Sequence, residues 1–242
     1  MMRRVGILGG MGPQATILLM QKVLASVQAA DDSDHIPMIV DQNPQVPSRI
    51  RLIIEGRGDD PGPVLAAMAK GLVAAGAEAL AMPCNTAHHY AGAVTSAVSV
   101  PFLNMVDLSV TKAAGLAGYG GKVGILASPA VRKIGLFDSR FETHGIQPIY
   151  PSDEAGMLAA IRQIKATGPG PEAQRLLEAA SEELLGQNAR VQMIACTEFS
   201  LIPPAKAKDV TFFDTLDVLV AAIKDFALSG GETTQRPVRQ AG

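Results

Sequence analysis

The chain has 242 residues, 48% of them hydrophobic and 18% charged, which is enough apolar sequence for a buried core and excludes a disordered chain. Its 21 basic and 23 acidic residues give a formal net charge of −2, so no basic excess predicts binding to nucleic acid or to an anionic membrane. No apolar run reaches the roughly 18 residues of a membrane-spanning helix, and glycine and proline interrupt the apolar start too early for a secretion signal, so we expect a soluble, cytoplasmic protein.

Predicted buried strands and amphipathic helices alternate along the chain. The first half has predicted strands at residues 5–8, 36–41 and 79–82, a predicted strand and loop within residues 101–107, and predicted helices at residues 14–29, 50–55, 63–75, 86–96 and 108–117. The second half has predicted strands at residues 123–126, 148–150 and 192–195, predicted helices at residues 132–143, 154–167 and 172–187, and a last strand and helix within 210–228. The polar tail 229–242 is predicted to be disordered. This alternation predicts an α/β protein with parallel sheets and helices on both faces.

The two halves of the chain resemble each other. The string VGIL at residues 5–8 recurs at residues 123–126, and each half later has a predicted strand that runs into a cysteine, Cys84 or Cys196. Because the order and the spacing of these features match, we predict two pseudo-symmetric, doubly wound domains. If the two domains face each other, the two thiols flank one cleft.

Both cysteines lie where a predicted strand passes into a predicted helix, and ligands of parallel sheets bind beyond the carboxyl ends of the strands. A thiol at the start of a helix meets the positive end of the helix dipole, which would lower its pKa. Two thiols on opposite sides of a cleft suit a racemase, since one removes the α-proton of an amino acid and the other returns a proton to the opposite face. From the spacing alone, two buried cysteines that only pack in the core are supported about as well as two catalytic thiols.

Two other motifs are given an ordinary structural interpretation. The glycine-rich string at residues 9–13 fits neither the dinucleotide fingerprint nor the phosphate-binding loop motif, so we expect a tight turn that lines the cleft. His88 and His89 are adjacent and lack a carboxylate at helical spacing, so no metal site is predicted there. The position of His88 after the Cys84 motif is consistent with a supporting role beside Cys84.

Three motifs together resemble the aspartate/glutamate racemase family. They are GILGGMGP at residues 6–13, followed by Ala15 and Thr16, PCNTAH at residues 83–88, and ACTE at residues 195–198. The resemblance covers nearly the whole chain, from about residue 4 to residue 226. It implies a racemase that needs neither pyridoxal phosphate nor metal, with the active site between two α/β lobes formed by residues 1–112 with 209–242 and by residues 113–208. It also implies a homodimer.

The motif positions imply roles for individual residues. Cys84 and Cys196 would form the acid/base pair. Arg49, in the string VPSR at residues 46–49, and Lys165 would bind the distal carboxylate of an acidic amino acid. The remaining predicted substrate contacts are Met11, Asn85, Thr86, Thr197 and Glu198.

Two positions depart from the family pattern. Ser48 stands where aspartate racemases often have Asp, and Ser128-Pro129-Ala130 follow the second VGIL string and Ala127 where threonines are usual. The thiol pair is unaffected, but the substrate side chain stays open, with aspartate first and glutamate or a broader acidic range second. Alternatives are a hydantoin racemase, a maleate isomerase-like enzyme, a decarboxylase of the same superfamily, which would need only one thiol, and a non-catalytic amino-acid-binding module.

Overall fold

The computed structural model describes residues 2–203 and 208–229. Within these ranges the strands are β1 (Val5–Gly9), β2 (Met38–Gln42), β3 (Ala79–Ala81), β4 (Phe102–Leu103), β5 (Lys122–Leu126), β6 (Gln147–Ile149), β7 (Val191–Ile194) and β8 (Thr211–Asp214). The α-helices are α1 (Pro13–Ala25), α2 (Arg49–Ile53), α3 (Gly62–Ala74), α4 (Ala91–Ala97), α5 (Met105–Ala117), α6 (Pro129–Lys133), α7 (Asp138–Glu142), α8 (Glu154–Thr167), α9 (Pro171–Gly186) and α10 (Thr215–Leu228). Three 3₁₀ turns span Asp32–Asp34, Thr86–Tyr90 and Phe199–Leu201.

The strands form two parallel sheets with the same internal order. The first sheet has the order β2-β1-β3-β4 and the second has the order β6-β5-β7-β8. The predicted fold class is confirmed, since each lobe is a small doubly wound sheet and the second repeats the topology of the first. Cys84 follows β3 and Cys196 follows β7, and these strands occupy equivalent places in their sheets.

Helices cover both faces of each sheet because the strands are apolar on both sides. Along β1, Ile7 packs in one apolar cluster with Leu19 of α1 and Leu219 of α10. The next residue, Leu8, points to the other face and packs in a cluster with Leu65 of α3. The sheet is therefore buried between helix layers, and the carboxyl ends of its strands are where loops can form a site.

Two helices connect the lobes. Met105, the first residue of α5, lies in the apolar core of the first lobe, whereas Val106 and Val110 lie in the core of the second lobe with Met193 of β7. Strand β8 pairs with β7 in the second sheet, and the α10 helix that follows packs against α1 and α5. The lobe boundaries at residues 112 and 209 remain a prediction. Of the predicted disordered tail 229–242, Ser229 ends α10 as its C-cap, and residues 230–242 lie outside the described residues.

Local structure differs from the prediction at two helices. The predicted helix 132–143 is two short helices, α6 and α7, because the chain turns at Gly135, whose φ of +58° a side chain rarely adopts. The predicted helix 86–96 begins as the 3₁₀ turn Thr86–Tyr90 and becomes α-helical only in α4. Among the helices of the described ranges, none is long and apolar enough to cross a membrane.

Candidate active site

A cleft of about 900 Å³ opens at the carboxyl ends of the central strands of both sheets. Gly10 follows β1, Cys84 follows β3, Ser128 follows β5 and Cys196 follows β7, and all four line this cleft. The topology thus brings the two cysteines of the repeat to one cavity between the lobes.

The glycine-rich turn after β1 forms one wall of the cleft. Gly10 has a φ of +91°, and a Cβ there would lie 2.4 Å from the backbone carbon of Asn43. The Gly10 N–H donates to the Thr16 hydroxyl at 2.9 Å, which fixes the turn onto α1. A Cβ at Gly12 would lie 3.5 Å from the ammonium of Lys165, an ordinary van der Waals distance, so this turn lies next to that cation.

Cys196 and Glu198 are buried and form a hydrogen-bonded cluster with the more exposed Lys165. Its thiol donates to Glu198 Oε2 at 3.1 Å, and Glu198 Oε1 accepts a hydrogen bond from the Lys165 ammonium. Burial is the largest single influence and lowers the pKa of Lys165, but the charge and hydrogen bond of Glu198, together with the two cysteines, outweigh it and raise that pKa. Cys84 and Cys196 also raise the pKa of Lys165, so the Lys165 ammonium lies within the electrostatic reach of both thiols.

The expected low pKa of the second thiol is wrong. Burial and, after it, the charge and hydrogen bond of Glu198 raise the pKa of Cys196 well above its ordinary value, and Lys165 only partly offsets them. The helix-dipole argument fails because Cys196 is followed by the 3₁₀ turn Phe199–Leu201 rather than by an α-helix. Cys196 is therefore protonated in the resting protein at neutral pH.

The backbone carbonyl of Cys84 forms a hydrogen bond that holds this residue in place. Cys84 is buried, and its carbonyl lies 2.9 Å from His88 Nδ1. Thr86, two residues later, lines the cleft. The intervening Asn85 is buried away from the cleft lining, and its amide donates to the Thr215 hydroxyl at 3.0 Å. Among the described residues its Oδ1 has no hydrogen-bond partner.

Most of the residues that the sequence predicted for the site line this one cleft. They are Met11, Arg49, Cys84, Thr86, Lys165, Cys196 and Glu198. Asn85 and Thr197 are buried beside the thiols but are not part of the cleft lining. The roles assigned to all nine stay predictions.

Arg49 extends into the cleft from the first residue of α2, where Ser48 caps the helix. Its Nη1 donates to the carbonyls of Val46 and Pro47 at 3.2 and 2.7 Å, which holds the guanidinium in place. Its Nε is buried and has no partner among the described residues. The guanidinium of this cleft-lining arginine suits an anionic ligand.

Sequence reasoning missed a group of charged residues at the mouth of the cleft. Glu55 accepts hydrogen bonds from Arg57 and from Arg162 of α8, both at 2.8 Å, and all three residues line the cleft. The Ile54 carbonyl also accepts a hydrogen bond from Lys133 of the second lobe. The segment around α2 thus contacts both lobes across the cleft. Residues 55 and 162 are too far apart in sequence for spacing to reveal their contact.

Among the described residues, no group of three or more histidine, cysteine, aspartate or glutamate side chains could hold a metal ion. The cations that line the cleft outnumber the acids. The cations are Arg49, Arg51, Arg57, Arg162 and Lys165, and the acids are Glu55 and Glu198. Arg51 forms no ion pair within the described ranges. The cavity therefore favours a small anionic ligand next to two thiols.

Comparison with known proteins gives a consistent set of relatives. The profile of a family described as Asp/Glu/Hydantoin racemase matches residues 8–223. The broad specificity amino-acid racemase RacX of Bacillus subtilis is 25% identical over 216 residues, which cover 87% of this chain and 92% of RacX. An aspartate racemase of Picrophilus torridus superposes with a TM-score of 0.78 at 26% identity and covers 93% of this chain and 94% of its own. An aspartate racemase homologue from Pyrococcus horikoshii shares the fold, with a TM-score of 0.72 at 21% identity over 94% of this chain and 100% of its own.

Proposed function

The chain belongs to the Asp/Glu/hydantoin racemase family, and we propose that it interconverts the L and D forms of an acidic amino acid, with aspartate preferred over glutamate. Cys84 and Cys196 would act as the two bases, and the reaction would require neither pyridoxal phosphate nor a metal ion. The observation that carries this proposal is that equivalent strands of two matching sheets bring one thiol each to the same cleft.

The protonation of Cys196 gives each thiol a starting role. Because burial and Glu198 raise its pKa, Cys196 holds its proton and acts first as the acid that protonates the α-carbanion. Cys84 would be the base that removes the α-proton from the other face. In the opposite direction Cys196 must lose its proton, and Glu198 Oε2, at 3.1 Å, is placed to accept it.

Substrate binding follows from the charges that line the cleft. Arg49 lines the cleft and its guanidinium would bind the distal carboxylate, and Lys165 supplies a positive charge near both thiols. Thr86, beside Cys84, is the lining hydroxyl closest in sequence to a thiol and suits the α-carboxylate or the amino group. The predicted roles of Asn85 and Thr197 in the same interaction belong to this proposal.

The assembly and location of the protein are also part of the proposal. We expect a cytoplasmic homodimer, as the family resemblance implies. Light scattering on the purified chain tests the dimer, since it should report about twice the chain mass of 25.2 kDa.

The proposed function is tested by assaying racemisation with chiral chromatography, without added cofactor, on L-aspartate, L-glutamate and an uncharged amino acid. We expect aspartate to be the best substrate. Cys84→Ser and Cys196→Ser should each lower kcat/KM by about 10³-fold or more with an unchanged circular dichroism spectrum. Full activity in either variant would refute the two-thiol mechanism.

Two competing functions are distinguished in the same experiment. A hydantoin racemase would invert a 5-substituted hydantoin faster than aspartate. A non-catalytic binding module would bind aspartate in calorimetry but would not invert it, and Cys84→Ser would leave that affinity unchanged.

A further inference from the structure

His88 makes two buried hydrogen bonds that join Cys84 to the start of α5. Its Nδ1 lies 2.9 Å from the Cys84 carbonyl oxygen, and its Nε2 lies 3.2 Å from the backbone nitrogen of Met105. The side chain is 2% exposed, and its ring packs against Phe102 with the two ring centroids 5.4 Å apart. The imidazole therefore does not contact the cleft directly.

The two partners require the same form of the ring. A backbone N–H donates, so Nε2 must accept from Met105, and a carbonyl accepts, so Nδ1 must carry the proton and donate to Cys84. Burial lowers the pKa of His88 to about 4, although the Cys84 carbonyl and Asp107 act in the opposite direction. The ring is thus neutral at physiological pH and is fixed in one tautomer and one orientation.

Helix α5 connects the His88 hydrogen bonds to the region of the second thiol, Cys196. The Asn104 side chain accepts hydrogen bonds from Val106 N–H and Asp107 N–H, and His88 accepts the remaining N–H of the first turn, from Met105. Farther along, α5 packs in one apolar cluster with Ala195, the residue that precedes Cys196. A continuous path of packed groups thus runs from the Cys84 carbonyl through His88 and α5 to the Cys196 strand.

We propose that His88 is a positioning residue for the racemisation, which holds the Cys84 peptide at a fixed place relative to α5 and hence to Cys196. This inference rests on the proposed function, because a fixed separation matters when one thiol must act on each face of one α-carbon. His88 itself touches neither the substrate nor the reacting atoms.

Two variants separate the two hydrogen bonds. In His88→Asn the amide nitrogen takes the place of Nδ1 and keeps the hydrogen bond to the Cys84 carbonyl. In His88→Gln the amide oxygen lies nearer the place of Nε2, so the side chain can accept from the Met105 N–H but no longer donates to Cys84. We expect His88→Asn to retain kcat within about 10-fold and His88→Gln to lose about 100-fold or more, with KM little changed in both. His89→Asn is the matched control, since His89 is exposed and should keep full activity.

The thiols give a readout that is independent of turnover. Iodoacetamide alkylation, quantified on the separate Cys84 and Cys196 peptides, should change at Cys84 in His88→Gln and remain unchanged at Cys196. Equal activity in the two variants, or an unchanged ratio of Cys84 to Cys196 alkylation, would overturn the positioning role and leave His88 as a structural residue only.

A measurement on the unsubstituted chain covers the case in which a variant does not fold. The chain has four histidines, so ¹⁵N-histidine NMR can assign the ring nitrogens of His88. We expect a neutral ring protonated at Nδ1 at pH 7, and a ring protonated at Nε2 or at both nitrogens would contradict the proposal. If the unsubstituted chain fails to racemise any amino acid, the proposed function fails, whereas an active chain with equal variants refutes only the role of His88.

Discussion

Glu198→Gln tests the electrostatic account of the second thiol. Glu198 is buried, its Oε2 accepts the Cys196 thiol hydrogen bond at 3.1 Å, and its charge is, after burial, a leading cause of the raised pKa of Cys196. Glutamine keeps the shape of the side chain and removes the charge. The pKa of Cys196 should therefore fall, and it should fall further because Lys165 no longer has its carboxylate partner.

The size of the effect follows from the separation of the charges. Two unit charges about 4 Å apart at an effective dielectric constant of about 20 interact by about 4 kcal/mol. Water in the open cleft reduces this to about 2.7 kcal/mol, so we expect the pKa of Cys196 to fall. The thiolate fraction at pH 7 then rises about 100-fold, while the nucleophilicity of each thiolate falls about 10-fold, which leaves a net increase of about 10-fold in alkylation rate.

The assay is iodoacetamide alkylation of Cys196 as a function of pH, read by peptide mass spectrometry. Racemisation should fall in the same variant, because Glu198 is the group placed to accept the Cys196 proton. Glu142→Gln, which changes an exposed carboxylate on α7, is the matched control and should leave both readouts unchanged. An unchanged or slower alkylation of Cys196 in Glu198→Gln would refute the reasoning.

Two further predictions concern stability. Burial lowers the pKa of His88 to about 4 and raises the pKa of Asp214 to about 6, so as the pH falls from 7 to 4 the folded state loses about 3 kcal/mol through His88 and gains about 2.4 kcal/mol through Asp214. Asp214→Asn removes only the gain, so its unfolding free energy in urea should fall by about 2.4 kcal/mol more than that of the parent over this range, and parallel pH profiles would contradict this. The Thr215 hydroxyl accepts a hydrogen bond from Asn85 and donates one to the Ile194 carbonyl. Thr215→Val leaves both partners unpaired, so its unfolding free energy should be lower than that of Thr215→Ser by at least about 1 kcal/mol. Equal urea midpoints of unfolding for the two variants would show that these hydrogen bonds contribute nothing.

The sequence predicted the architecture well because its strongest signals were local. The VGIL strings are fully or nearly buried strands, and predicted helix 154–167 matches α8 from its first to its last residue. The repeat order also placed the two cysteines after equivalent strands. Helix lengths were less predictable where a single glycine, Gly135, turns the chain between two short helices.

The sequence predicted most of the residues that line the site, but it did not predict how their charges act on one another. The motifs identified Cys196, Glu198 and Lys165, but their mutual contacts depend on loops that meet only in the folded chain. The pKa of Cys196 was predicted in the wrong direction because a 3₁₀ turn replaces the expected helix and a carboxylate lies beside the thiol. Glu55 and Arg162 were missed for a related reason, since they come from different lobes.

The two-thiol mechanism is tested most directly by following L-aspartate in D₂O with the purified chain and no added cofactor. If opposite faces are served by different thiols, the first D-aspartate formed carries deuterium at the α-carbon, while the L-aspartate recovered at the same time still carries its original proton. Equal deuterium contents in the two enantiomers would show that one base serves both faces and would contradict the account. The absence of any D-aspartate would contradict the proposed substrate.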